Sequence, residues 1–216
     1  SVKLQSSNTY AVGVNEEYVE VFASYNNTQP VNITGWTIKS AITGKSATIP
    51  KGAYLPFSGV VNKEENIFLN PGDRAIITTG NSPKGVSFRL NTCTGYFEQF
   101  QDFTPGLPQQ CPRPSDENLP LGPNGLEDVC VKYIEQIPSC IAHIQALPIG
   151  LSATCNEYVN ENIHYNGCLK LHKNDSDFYK PEWRIFLARS EKLWKSERET
   201  IKLLDAEGKT IDSLSY

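Results

Sequence analysis

Every cysteine of the 216-residue chain lies between positions 93 and 168, and both flanks have none. The six are Cys93, Cys111, Cys130, Cys140, Cys155 and Cys168. None forms a CxxC pair, so the usual spacing of a structural zinc site is missing. The even count points to a disulfide framework, and so to an oxidising compartment outside the cytosol. Six cysteines admit fifteen pairings, and the sequence does not choose among them. Nearest-neighbour closure (Cys93–Cys111, Cys130–Cys140, Cys155–Cys168) is the simplest.

The stapled region differs from its flanks in pattern as well. In "EEYVEVFASYNN", Tyr18, Glu20 and Phe22 alternate with Val19, Val21 and Ala23, the period of a half-buried strand. "VNITGWTIKS" reads as a second strand, broken at Gly35. "NIFLNPGDRAIITTG" holds a short apolar run, a Pro71-Gly72 pair suited to the centre of a type II turn, and a further strand. "RETIKLLDAEGKTIDSLSY" reads as a closing hairpin. A strand at the end of the chain needs a sheet to join, and only the first segment supplies one. The expected architecture is therefore mainly β, with residues 1–90 and 197–216 forming one sheet domain and residues 91–196 inserted in it.

The insertion opens with prolines at 105, 108, 112, 114, 120 and 123 and then turns helical. Leu126, Val129, Cys130, Tyr133, Ile134 and Ile137 fall on one helical face that ends before Pro138. Ser152 is a good N-cap for a second helix, with Cys155, Tyr158, Val159 and Asn162 on one face and an expected stop at Asn166-Gly167. "CIAHIQALP" reads as a short apolar helix carrying a partly buried His143. "WRIFLARSEKLW" reads as a strand from Trp183 to Leu187 followed by a helical turn.

The flanks resemble the lamin tail domain, a family found in nuclear lamins and in bacterial exported proteins. The residues that carry this resemblance are "EYVEVFASYNNTQPVNITGWTIKS", "IFLNPGDRAIITTG" and "RETIKLLDAEGKTIDSLSY". They look like that family's Glu-led first strand, its Gly-Trp strand, its Pro-Gly turn before an Ile-rich strand, and its closing hairpin. The match covers roughly residues 15–90 and 197–216. It implies an immunoglobulin-like β-sandwich and a binding or scaffolding module with no catalytic motif. The cysteine-bearing insertion looks like a version carried by secreted bacterial proteins, where such domains accompany surface enzymes or membrane anchors. Fold alone does not fix function.

Charge and motifs narrow the chemistry. A net charge of −4 speaks against a nucleic-acid partner, which favours a basic face. No P-loop, Gly-x-Ser-x-Gly, dinucleotide fingerprint or EF-hand occurs, so no cofactor or metal is expected. No apolar run is long enough to span a bilayer. The chain opens at Ser1 and contains no methionine, and reads as a mature fragment or an excised piece; any export signal or membrane anchor would lie outside it.

The candidate ligand site is "NTCTGYFEQFQDFTPGLPQQCPRP", Asn91 to Pro114. Tyr96, Phe97, Phe100 and Phe103 have amphipathic spacing, as either a satellite core or a platform for a sugar ring. In the second case Glu98, Gln99, Gln101 and Asp102 reach the hydroxyls. Glu98 and Asp102 are also spaced as a glycosidase carboxylate pair would be on a helix.

Weaker candidates complete the set. His164, Cys168 and His172 form H-x₃-C-x₃-H, a zinc spacing weighed against a disulfided Cys168 with two surface histidines. Asn174 to Asp177 reads as a plain Asx turn rather than a calcium loop. Arg184, Arg189, Lys192, Lys195 and Arg198 interleave with Phe186 and Trp194, as a solvated face beside a buried Trp or as an anionic-polymer site. Three N-glycosylation sequons, at Asn26, Asn32 and Asn174, are incidental in a bacterial chain. The expected function is a non-catalytic extracellular or cell-surface module for protein or glycan binding. The alternatives are a spacer domain and a glycan hydrolase using Glu98 and Asp102.

Overall fold

The computed structural model describes every residue except Leu121, Pro123 and Asn124, and gives the backbone alone at Ser6 and Ser7. Pro123 of the proline cluster thus lies outside the described residues. The chain divides into two compact units: Ser1–Leu90 with Lys180–Tyr216, and Asn91–Tyr179.

The first unit is a β unit. Its strands are β1 (Val2–Ser7), β2 (Tyr18–Ala23), β3 (Val31–Asn32), β4 (Thr37–Ser40), β5 (Ser46–Thr48), β6 (Phe68–Leu69), β7 (Arg74–Thr78), β8 (Phe88–Asn91), β9 (Tyr179–Phe186), β10 (Thr200–Leu204) and β11 (Thr210–Ser215). They form a five-stranded sheet in the order β1-β2-β7-β9-β8, a four-stranded sheet in the order β11-β10-β4-β5, and the pair β3-β6. The fold is mainly β with several sheets, an arrangement consistent with a β-sandwich.

Alternation along β2 buries Val19, Val21 and Ala23 completely and leaves Tyr18, Glu20 and Phe22 half-buried. Strand β7 lies between antiparallel β2 and parallel β9, so Ala75, Ile76 and Ile77 are all buried and alternation disappears. The C-terminal hairpin joins the sheet begun by the first segment, β10 pairing antiparallel with β4. Asn70-Pro71-Gly72-Asp73 makes the anticipated turn: Asp73 N donates to Asn70 O at 2.9 Å and Gly72 has φ +86°. Both β7 and β10 contribute to one apolar core with Ile33, Trp36, Ile38, Trp183, Ile185 and Trp194.

The expected domain boundary at 197 lies instead at 180, because Tyr179–Phe186 is a full strand of the five-stranded sheet. No helical turn follows it. The next segment is fastened by buried carboxylates. Glu17 Oε2 accepts from Thr79 Oγ1 at 2.7 Å and from Leu193 N at 2.9 Å. Glu199, also buried, accepts from Ser40 Oγ at 2.8 Å and from the backbone N–H groups of Ile42, Lys195 and Thr200. Burial pulls the Glu199 carboxyl up, but these four donors outweigh it and hold the group below its ordinary value. Asp212 ties β11 to β1, accepting from Leu4 N at 2.9 Å and pairing with Lys3.

The second unit is a cystine unit. Its helices are α1 (Asp128–Ile134), α2 (Ala153–Asn162) and α3 (Tyr165–His172), with a short 3₁₀ turn at Thr94–Gln99. The disulfides are Cys93–Cys168, Cys111–Cys140 and Cys130–Cys155, and no cysteine is free. Nearest-neighbour closure is therefore replaced in all three bonds. Ser152 caps α2 as expected, accepting from Cys155 N. Glu127 in turn accepts from Ser152 N and Oγ, which sets Cys155 against Cys130 on α1.

Two helix expectations change. Leu126, Cys130, Ile134 and Ile137 are buried together, but Val129 is half exposed and α1 ends at Ile134. Gly167 does not stop a helix. It sits inside α3, where a Cβ would lie 2.3 Å from Asn162 O, so the missing side chain lets α3 pass against the end of α2.

Candidate functional site

The stretch from Asn91 to Pro114 is an anchor rather than an open loop. Asn91 Oδ1 accepts from Cys93 N at 2.9 Å, and Thr94 Oγ1 donates to Asn91 O at 2.8 Å, which starts the 3₁₀ turn. Gly95 faces the Cys111–Cys140 bridge; a Cβ there would lie 2.3 Å from Cys140 Sγ. Cys93 and Cys111 therefore tie this stretch to two distant segments instead of closing it on itself.

Its aromatics divide. Tyr96, Phe97 and Phe103 are buried, and Phe97 packs on Tyr165 with ring centroids 4.2 Å apart. Burial first, and the Glu117 carboxylate second, push the Tyr96 phenol up to about 12. Only Phe100 is exposed, at 56%. The sugar-platform reading needed the rings of Tyr96 and Phe97 at the surface, and their faces are covered. Glu98 Oε1 accepts from Leu107 N at 2.9 Å, while Asp102 is exposed. Their joint use as a carboxylate pair is not what this geometry favours.

Gln99, between them, leads elsewhere. Its amide grips the backbone of Ala142: Nε2 donates to Ala142 O at 3.0 Å, and Ala142 N donates to Oε1 at 2.7 Å. The expected short helix around His143 is missing, because both backbone groups of Ala142 are taken by this amide and Cys140 enters with a left-handed φ of 60° and a disulfide. Residues Ile141 to Ile144 instead run without turn or bend. Beside them lies a groove of about 410 Å³. Its opposite wall comes from the end of α1 and the residues just beyond it: Tyr133, Gln136, Ile137 and Pro138. Tyr133 Oη and His143 Nδ1, 2.8 Å apart, bridge the two walls.

Among the described residues, no Asp, Glu, Lys or Arg lines this groove. Burial raises the Tyr133 phenol, so it too stays neutral. Ile144 is 69% exposed, and His143 Nε2 is buried without a hydrogen-bond partner among the described residues. Sequence reasoning missed this site. The signal was present: Ile141 and Ile144 are β-branched, and Pro138 and Pro148 bracket the stretch.

The remaining candidates are engaged in structure. Cys168 is bonded to Cys93, His164 Nε2 contacts Glu161 O, and His172 lies between Asp175 and Glu117 at 2.7 and 2.8 Å. H-x₃-C-x₃-H therefore does not converge on a metal. Among the described residues, Glu127, Cys130 and Cys155 bring three ligand-type atoms together, but both sulfurs there belong to one disulfide. Asn174 to Asp177 forms a turn in which Asp175 serves His172. In the basic stretch, Phe186 and Trp194 are buried, Arg184 pairs with Glu182, and Lys192 donates to Thr9 O and Ala11 O. Arg189, Lys195 and Arg198 stay exposed. All three sequon asparagines are exposed, and Asn32 Oδ1 accepts from Thr34 N.

Comparison with family models, with curated proteins and with solved structures finds no match. Among the described residues, no helix is long and apolar enough to cross a membrane.

Proposed function

We propose that this chain is a non-catalytic module of the extracellular space or cell surface, built on an immunoglobulin-like β-sandwich of the lamin-tail type, that binds a protein through its cystine unit. The observation that carries this reading is the groove between α1 and residues 141–145, whose lining among the described residues has no Asp, Glu, Lys or Arg. A pocket walled by isoleucines, a proline, a neutral phenol and amides suits a partner that brings apolar side chains and backbone amides. Three disulfides suit an oxidising compartment.

A glycan partner is supported less, since the stacking faces of Tyr96 and Phe97 are covered. That same burial favours a second reading, a spacer whose insertion only thickens the domain. Arrays of extracellular protein fragments and of neutral glycans, probed with the oxidised full chain and with Ile144→Asp, separate the two. Ile144 is exposed, so its substitution leaves the fold intact, as near-UV circular dichroism can verify. Saturable protein binding that the variant loses is the expected outcome. Silence on both arrays would favour the spacer.

A further inference from the structure

We infer that the groove takes its partner as an added β-strand: an extended, uncharged peptide segment pairs with the backbone of Ile141 and His143. The inference rests on the binding-module reading above and specifies its ligand.

The argument starts from Gln99. By donating to Ala142 O and accepting from Ala142 N, its side-chain amide makes the same two-bond exchange that a facing residue makes in an antiparallel ladder. One edge of this segment is thus already paired, by a side chain rather than a strand. In an extended chain, the conformation we infer for Ile141 to Ile144, which carry no turn or bend, successive residues direct their backbone groups to opposite edges. The N–H and C=O groups of Ile141 and His143 therefore face away from Gln99. Among the described residues they have no hydrogen-bond partner.

An unpaired strand edge is a template for another chain. This one is held in place from three sides. Cys140 fixes its start through the bond to Cys111, Gln99 fixes its middle, and the Tyr133–His143 contact fixes it to α1. Such anchoring lowers the ordering cost that pairing a loose segment would incur. Ile141 and Ile144, 37% and 69% exposed, offer apolar contact beside the edge. The lack of charge along the groove selects against Asp, Glu, Lys and Arg in the arriving segment, because each would lose hydration with no counter-ion.

The test uses the full chain with its disulfides intact. A phage-displayed library of random peptides of about seven residues, without Asp, Glu, Lys or Arg, is panned against it, with Ile144→Asp and Gln145→Arg as counter-targets. Enriched peptides should bind both variants at least about tenfold more weakly. Binding should slow amide exchange at Ile141 and His143. N-methylation of alternate peptide residues should abolish binding in one phase and spare it in the other, since only one edge of the peptide donates. The inference is overturned if no peptide is enriched, if binding leaves those two amides unprotected, or if both N-methyl phases bind alike. Saturable protein binding on the arrays without peptide enrichment overturns the added strand alone. Silence in every arm overturns the binding-module reading with it.

Discussion

The two units of this chain reach stability by different routes. The β unit holds no cysteine and closes a continuous apolar core from several strands. The cystine unit has three helices of 7, 10 and 8 residues, too short to persist on propensity alone. One of its apolar clusters, Leu126, Ile134, Ile137, Val159 and Ile163, is completed by the half-cystines Cys130 and Cys155 themselves. Helices this short lean on covalent staples as well as on burial; a pair of sheets with a continuous core holds together without them.

Reduction tests that contrast most severely. Loop-closure entropy assigns about 4.5 kcal/mol to the Cys93–Cys168 bond, whose ends are 75 residues apart, and about 3.5 kcal/mol to each of the other two, at separations of 29 and 25. The loops overlap, so these values do not simply add. Under reductant, hydrogen exchange measured by mass spectrometry should show α1, α2 and α3 losing protection while β2, β7 and β10 keep theirs. Simultaneous loss in both units would mean that the β unit does not stand alone. Thiol labelling of the unfolded, unreduced protein should find no reactive cysteine.

The second prediction probes the β unit where it depends on polar groups. Glu199→Gln keeps the shape of the side chain but turns an NH₂ group towards donors that need an acceptor. The expected cost is about 2–3 kcal/mol near neutral pH, seen as a lower denaturation midpoint for β4 and β10 with little change in the helices. The depressed carboxyl fixes the sign with pH. Its contribution is present above the ordinary glutamate value and is lost as pH falls through the lower folded value. The variant should therefore show a flatter loss of stability in acid than the parent chain.

The same contrast explains what is readable from sequence. β2 and β10 are legible because their burial has a period of two, and β7 and β11 because the turns before them are marked by Pro71-Gly72 and Gly208. Glu199 looks like one of several surface charges, because only the folded chain brings Ser40, Ile42 and Lys195 to it. Residues 180–196 read as part of the insertion because the apolar residues of β9 are buried on both faces and show no alternation. In the cystine unit, Ser152 is legible as a cap because capping is local. Disulfide partners are not, since separations of 25 to 75 residues leave no local trace. The groove escapes for a related reason: Gln99, which holds Ala142, is 43 positions away from it.

The smallest expected effect lies inside the cystine unit, at a non-covalent polar clamp on α3. His172, in the last turn of α3, contacts Asp175 Oδ2 through Nδ1 and Glu117 Oε1 through Nε2. Burial pulls its imidazolium down, but the hydrogen bonds and charges of these two carboxylates outweigh burial and raise it above the ordinary histidine value. A raised folded pKa favours the protonated state. The clamp therefore contributes fully below about pH 6.5 and is lost as pH rises through the higher folded value. The group is partly exposed, so solvent screening limits the effect to under about 1 kcal/mol. Proton NMR should give His172 a midpoint above that of free histidine, and Glu117→Gln should lower it. Protection factors at the end of α3, with the base-catalysed intrinsic rate divided out, should fall between about pH 6 and pH 8 in the parent chain and lose that dependence in His172→Gln. A flat profile in the parent would mean that the disulfide to Cys93 holds α3 without the clamp.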